Sequence, residues 1–437
     1  MNARVLSGVL AAGLFAATLP AQPAPEPAPG PTPSVVSTSS APAAYTLSPE
    51  KREKAIAYAR ARYGLHFISF LWSALILVAI IGMRLAPRFR DRAEAVSGRP
   101  FWQATVFVPL LLVTQSVLEM PAAAYGHHLS LLYQQSVQGW VSWLWDWAKG
   151  LLVGLVIAIP LVWLLYAILR RSPRRWWLWF WLALLPILVF LIFVTPLVID
   201  PLFFRFEPLA PNHGELARRL EDVTVRAGER IPPERMFAMN ASSKYNSINA
   251  YVTGLGASKR VVVWDTTIAK ATVPQTLFVF GHEMGHYVLG HVPKTIAFLW
   301  ALLFVLLAVG SRILDRLLGR PGAWGIRGLS DWASLPVLLL FITVAGELAQ
   351  PVVAGYSRVQ EHQADIFGLE AIHRLVPDSA RAAAGAFQIL GETNLSDPDP
   401  SPFIRFWLYD HPPLAERLRF AAQYDPWSKG ENPQYVR

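Results

Sequence analysis

The chain has 437 residues, 53% hydrophobic and only 16% charged, with a mean hydropathy of +0.34. Soluble domains carry about 25% charge, so this composition excludes an ordinary soluble protein, intrinsic disorder, collagen and a disulfide scaffold, and it fits a membrane protein with a domain attached. With Cys 0, a metal would need His and carboxylate ligands, and the net charge of +9 clusters as Arg beside apolar runs, which signals membrane topology and not a nucleic-acid partner.

Residues 1–21 carry one Arg, an apolar run over 5–18 and then Leu19-Pro20-Ala21, the layout of a signal peptide or signal anchor. Residues 22–63 read as a Pro-rich linker and polar lead-in, because Pro, Ala, Ser and Thr cannot bury enough apolar surface to fold. Four uncharged apolar runs follow at 65–83, 101–118, 150–169 and 176–199, each near the ~20 residues needed to cross a bilayer. They predict four transmembrane helices over 64–200. Two later runs, 295–313 with Arg312 and 332–355 with Glu347, predict a transmembrane hairpin over 295–355. An ionisable group at membrane depth faces a cavity or partner, so Glu347 is expected to line an internal chamber. The polar blocks 201–294 and 356–437 are expected to form one α+β domain in two parts, with a helix over 214–227 and a strand over 259–264.

Gly281-His-Glu-Met-Gly-His286 carries the chemistry. On a helix opened by Pro274, His282 and His286 are one turn apart and can share one metal ion. Glu283 lies about 100° round the helix, where it reaches the attacking water without being a ligand. A catalytic zinc needs a third protein ligand and an open position. The third His of metzincins does not fit: their Gly and His would fall at Leu289 and Val292, and this chain has Gly290 and His291. Glu361 is the candidate carboxylate, with Asp365 four residues on to accept the free N–H of a ligand His. His362 points elsewhere. Residues 249–256 and 259–265 read as strand, turn and strand, and an exposed strand edge can pair with an extended peptide. Downstream, the Asp410-His-Pro-Pro-Leu-Ala-Glu-Arg417 segment offers a His or Arg to an oxyanion.

These segments, in this order, resemble the integral-membrane zinc CAAX prenyl proteases, with the bacterial membrane heat-shock zinc proteases as smaller relatives. The resemblance rests on Asn249-Ala250-Tyr251 with 259–265, His282 to His286, Ser357-Arg358 through Glu361 to Asp365, and His411-Pro-Pro413 with Arg417, together with the 200–209 exit from the fourth span. It implies a mainly α, polytopic fold enclosing a water-filled chamber, with a small α+β gluzincin-type domain. It implies one Zn2+ per chain held by His282, His286 and Glu361, Glu283 as general base and acid, and a substrate strand at Asn249 and Ala250. It also implies His411 and Arg417 near a peptide or protein substrate that is lipid-modified in this family. Two departures bear on that lipid. Eukaryotic members carry Ser-His-Ser-Asn-Ala where this chain has Tyr245-Asn-Ser-Ile-Asn249, and the signal-like front is extra.

The expected activity is that of a membrane-embedded zinc metalloendopeptidase. The rival from another class is a non-proteolytic membrane chaperone or channel retaining a structural zinc, which would be closed by four protein ligands. Basic residues mark cytoplasmic loops. Arg84, Arg88, Arg90, Arg92 and Arg99, then Arg170, Arg171, Arg174 and Arg175, and then Arg312, Arg316, Arg320 and Arg327 fall in three alternate connections. In a bacterial inner membrane this puts the zinc site on the extracytoplasmic side.

Overall fold

A computed structural model of the chain describes residues 44–254, 259–319 and 322–436. The signal-like segment and most of the Pro-rich linker lie outside the described residues. Helix α1 (Pro49–Gly82) is capped by Ser48, whose side chain accepts from Lys51 N. It begins 16 residues before the apolar run, so the polar lead-in is helical. The next elements are α2 (Leu85–Val96), α3 (Pro100–Leu132), α4 (Trp140–Arg171) and α5 (Trp176–Val194). A π-turn (Thr195–Ile199) and a last turn (Asp200–Phe203) carry α5 out of its apolar stretch.

A four-stranded sheet follows, in the order β1-β2-β4-β3: β1 (Phe206–Pro208), β2 (Met236–Met239), β3 (Ala250–Thr253) and β4 (Arg260–Trp264), with α6 (Leu209–Arg226) between β1 and β2. Strand β2 pairs parallel to β4, and β3 pairs antiparallel to it with Ala250 opposite Val263. The β-branched run Val261-Val262-Val263 is fully buried and alternates. Val261 and Val263 join the peptidase-domain core, and Val262 packs on the other face with Met239 and Trp264. Strand β3 is left at the edge.

After α7 (Asp265–Lys270) comes α8 (Val273–Val288), where Gln275 Oε1 accepts from Thr272 N at 2.9 Å and Pro274 occupies the first turn. Helices α9 (His291–Leu318) and α10 (Leu335–Ile372) form the hairpin, and α11 (Ser379–Thr393), α12 (Pro402–Leu408) and α13 (Leu414–Gln423) close the domain. Six helices among the described residues are long and apolar enough to cross a membrane, as the sequence predicts. Their ends differ. α1, α3, α4 and α10 each run well past their apolar runs on the side of the sheet, so hydrophobicity marks where lipid stops and not where the helix stops.

Two cores result. One unites the sheet with α6, α8, α11 and α13, through residues such as Leu220, Val263, Phe280, Phe387 and Leu418. The other fills the membrane bundle with Leu77, Phe107, Leu111, Tyr166 and Trp332. At the far end of the bundle the three Arg-rich connections meet: Arg90 Nη1 donates to Asp331 Oδ2 at 2.6 Å, and Arg170 stacks 4.5 Å over the Trp332 ring. At the near end the buried Asp146 of α4 accepts from Lys244 at 2.5 Å and from Lys149 at 2.8 Å, clasping bundle to peptidase domain.

Candidate active site

Helix α8 brings both histidines to one face, and α10 crosses it closely enough to present Glu361 to them. The approach is set by glycines. A Cβ on Gly285 would fall 2.9 Å from Phe367 Cβ and 3.1 Å from Ala364 Cα, and one on Gly368 would fall 2.9 Å from His282 N. The Nε2 atoms of His282 and His286 are 3.2 Å apart, with His282 Nε2 3.2 Å from Glu361 Oε2 and His286 Nε2 3.5 Å from Glu361 Oε1. One atom from each of these residues lies within 4.8 Å of the others. Glu361 Oε2 is buried and accepts no hydrogen bond, although His282 and His411 nitrogens stand 3.1–3.2 Å away. Two imidazole nitrogens converging on an unsatisfied buried carboxylate oxygen is a donor set that fits a small divalent cation.

Asp365, a turn past Glu361, meets His282 Nδ1 at 2.9 Å. Arg417 forks onto the same carboxylate, donating from Nε to Oδ2 at 2.8 Å and from Nη2 to Oδ1 at 2.5 Å. Burial works against a proton on His282, but hydrogen bonds to Asp365 and Glu361 and the charges of both raise its pKa to about 9. His411 Nδ1 lies 2.9 Å from Asp410 Oδ1, and its Nε2 lies 3.1 Å from Glu361 Oε2. Burial lowers His411 too, and Glu361 and Asp410 together raise it to about 10.

Of these residues His282, His411 and Arg417 line a cavity of about 660 Å³ together with Asn249 and Glu283 among others, while His286 and Glu361 line a smaller pocket beside it. Asn249 is locked by its backbone: its N–H donates to Thr267 Oγ1 at 2.8 Å, and its carbonyl accepts from Thr267 Oγ1 at 2.7 Å. Ala250 follows it on the edge strand, packed beneath α8 and buried. His362 is exposed and meets the Phe420 ring edge-on.

Sequence reasoning missed the opposite wall. Tyr58, Arg62 and His66 of α1 line the cavity at successive helical turns, a polar stripe before an apolar run that the sequence displays. Glu347 is corrected: it does not line the cavity but lies behind His66, 3.2 Å from His66 Nε2, and accepts from Trp407 Nε1 at 2.7 Å. An ionisable group in a membrane helix finds a partner before it finds water.

The profile described as Peptidase family M48 matches residues 211–425, which hold every residue of the site, and that of the CAAX prenyl protease N-terminal region, five membrane helices, matches residues 34–205. An uncharacterised metalloprotease of Bacillus subtilis, YhfN, is 32% identical over 89% of each chain. The chain belongs to peptidase family M48. As an M48 protein with these spans it is a multi-pass membrane zinc metalloendopeptidase. A CAAX prenyl protease 1 homolog of Arabidopsis thaliana is 25% identical, covering 85% of this chain and 88% of that one. A crystal structure of Ste24p from S. mikatae shares the fold seen here, with a TM-score of 0.73, 24% identity and coverage of 86% of this chain and 89% of that one.

Proposed function

We propose that the chain hydrolyses peptide bonds of an extended polypeptide held between β3 and the zinc helix, with Zn2+ bound by His282, His286 and Glu361. When bound, zinc supplies Lewis-acid chemistry, acidifying a water and polarising the scissile carbonyl. Glu283 takes the proton of the attacking water at its carboxylate and delivers it to the leaving amine. His411, whose Nδ1 is tethered to Asp410, turns Nε2 toward the reacting centre to donate to the developing oxyanion. Asp365, gripped by Arg417, holds the Nδ1–H of His282 so that Nε2 is free as a donor atom. Asn249 and Ala250 begin the edge strand along which the substrate lies, with the Asn249 backbone held in place by Thr267.

The observation that carries this reading is a three-residue donor set whose His282 lines a cavity that Glu283 also lines. A structural zinc would be closed by a fourth protein ligand, and the donor group among the described residues has three members. Metal analysis of detergent-purified protein with cleavage of a peptide library tests it. Turnover by the parent and none by Glu283→Gln, with zinc in both, supports the reading; zinc without turnover on any peptide supports the chaperone or channel rival. Substrates trapped on Glu283→Gln and read by mass spectrometry with and without a prenyl group test whether the lipid matters. We further propose that the site faces the extracytoplasmic side of a bacterial inner membrane; the meeting of the Arg-rich connections at the bundle end opposite the zinc helix supports it.

A further inference from the structure

His291 is the first residue of membrane helix α9, and its side chain is turned inward and buried. Its Nδ1 lies 3.0 Å from Nδ1 of His286, and its Nε2 lies 3.0 Å from Oε1 of Gln363, which is on α10 two residues after Glu361. Proton directions follow from the donor set. His286 turns Nε2 toward Glu361 and His282, so that nitrogen must keep its lone pair for a metal and the proton must sit on Nδ1. That N–H then donates to His291 Nδ1, which leaves the His291 proton on Nε2, and the amide oxygen of Gln363 accepts it. The opposite amide orientation would send a proton through His291 onto His286 Nε2 and remove the metal donor. The backbone is fixed as well: His291 O accepts from Gln360 Nε2 at 3.4 Å, and Gln360 Oε1 accepts from Thr295 Oγ1 at 2.8 Å.

We propose that His291 is a positioning residue for the metal ligand His286, and that Gln363 sets its tautomer, so that each ligand imidazole has its own support. Behind His282 stands an ionic pair, Asp365 with Arg417; behind His286 stands a neutral relay that starts in the membrane hairpin. Groups that orient ligand imidazoles typically contribute about 10- to 100-fold to metal affinity. This inference rests on His286 being a ligand through Nε2.

The test is zinc affinity of the full-length, detergent-purified protein, measured by chelator competition. His291→Phe, which keeps the ring volume and removes both nitrogens, is expected to bind zinc about 10- to 100-fold more weakly. Gln363→Met is expected to weaken it in the same direction, and Gln363→Glu, which keeps an acceptor oxygen, to stay close to the parent. Because Gln363 acts only through His291, His291→Phe with Gln363→Met should bind no more weakly than His291→Phe alone. Parental affinity in His291→Phe, or additive losses in the double variant, overturns the proposal. Should His291→Phe not fold, equal affinities of Gln363→Met and Gln363→Glu overturn it on their own. His286→Ala separates the two readings: if it keeps zinc, the ligand assignment fails and this inference with it, whereas loss of zinc there with parental binding in His291→Phe defeats this inference alone.

Discussion

A histidine that ligates zinc must give up a proton, and His282 sits where a proton is welcome. Its pKa is raised to about 9 because Asp365 and Glu361 outweigh burial. Before any metal binds, the stabilisation from that proton is complete below the unfolded value of about 6.5 and is lost as pH rises through about 9. Zinc affinity runs the other way. It is expected to rise by up to about tenfold per pH unit over that window and to level off above it, with proton release seen by calorimetry in buffers of different ionisation heat. A pH-independent affinity would remove the case for His282 as a ligand. Glu283→Gln is expected to keep zinc and lower kcat by about 10²- to 10⁴-fold, while His282→Ala and Glu361→Ala lose the metal. Asp365→Asn weakens the hold on His282 Nδ1 and on Arg417, so about 10- to 100-fold weaker zinc binding is expected, read by chelator competition.

At the scale of elements, the crossing of α8 and α10 decides whether a site exists. Gly285→Ala pushes a methyl group against Phe367 and the Ala364 backbone, and the relief available is for the helices to move apart, which carries Glu361 away from the histidines. Zinc affinity is therefore expected to fall by more than the melting temperature suggests. The HExxH helix was legible because the ligand spacing lies within one element. The partners of Arg417 and Glu347 were not, since Asp365 and His66 are brought to them by tertiary packing across 52 and 281 residues. Helix lengths were half legible: composition reports the lipid boundary, and the extra turns of α1 and α10 that wall the cavity are stabilised by the peptidase domain. In this Cys-free chain a cysteine at His66 is expected to react with an impermeant thiol reagent faster than one at Glu347, which lies behind it.

For the whole molecule, the Asp146–Lys244 clasp ties the membrane bundle to the peptidase domain beside the continuous helix α10, which packs into both cores. Asp146→Leu leaves Lys244 buried without its carboxylate, a change that typically costs about 3–5 kcal/mol. A lower melting temperature in detergent with unchanged zinc stoichiometry is the expected outcome. The proposed topology rests on arginine spacing, because the charges that choose a side of the membrane act through the chain before it folds. Reporter fusions after residue 230 and after Arg437 check it, with phosphatase activity expected from both and cytoplasmic fluorescence overturning the outward assignment.

The hairpin of α9 and α10 separates His286 from Glu361 by two membrane crossings. A ribosome that has released the chain up to residue 350 has delivered both histidines and Glu283, but no carboxylate to complete the metal set. On the proposed ligand set, the nascent protein is therefore expected to lack a complete metal site until its last candidate membrane helix has been inserted and α10 has come to lie across α8.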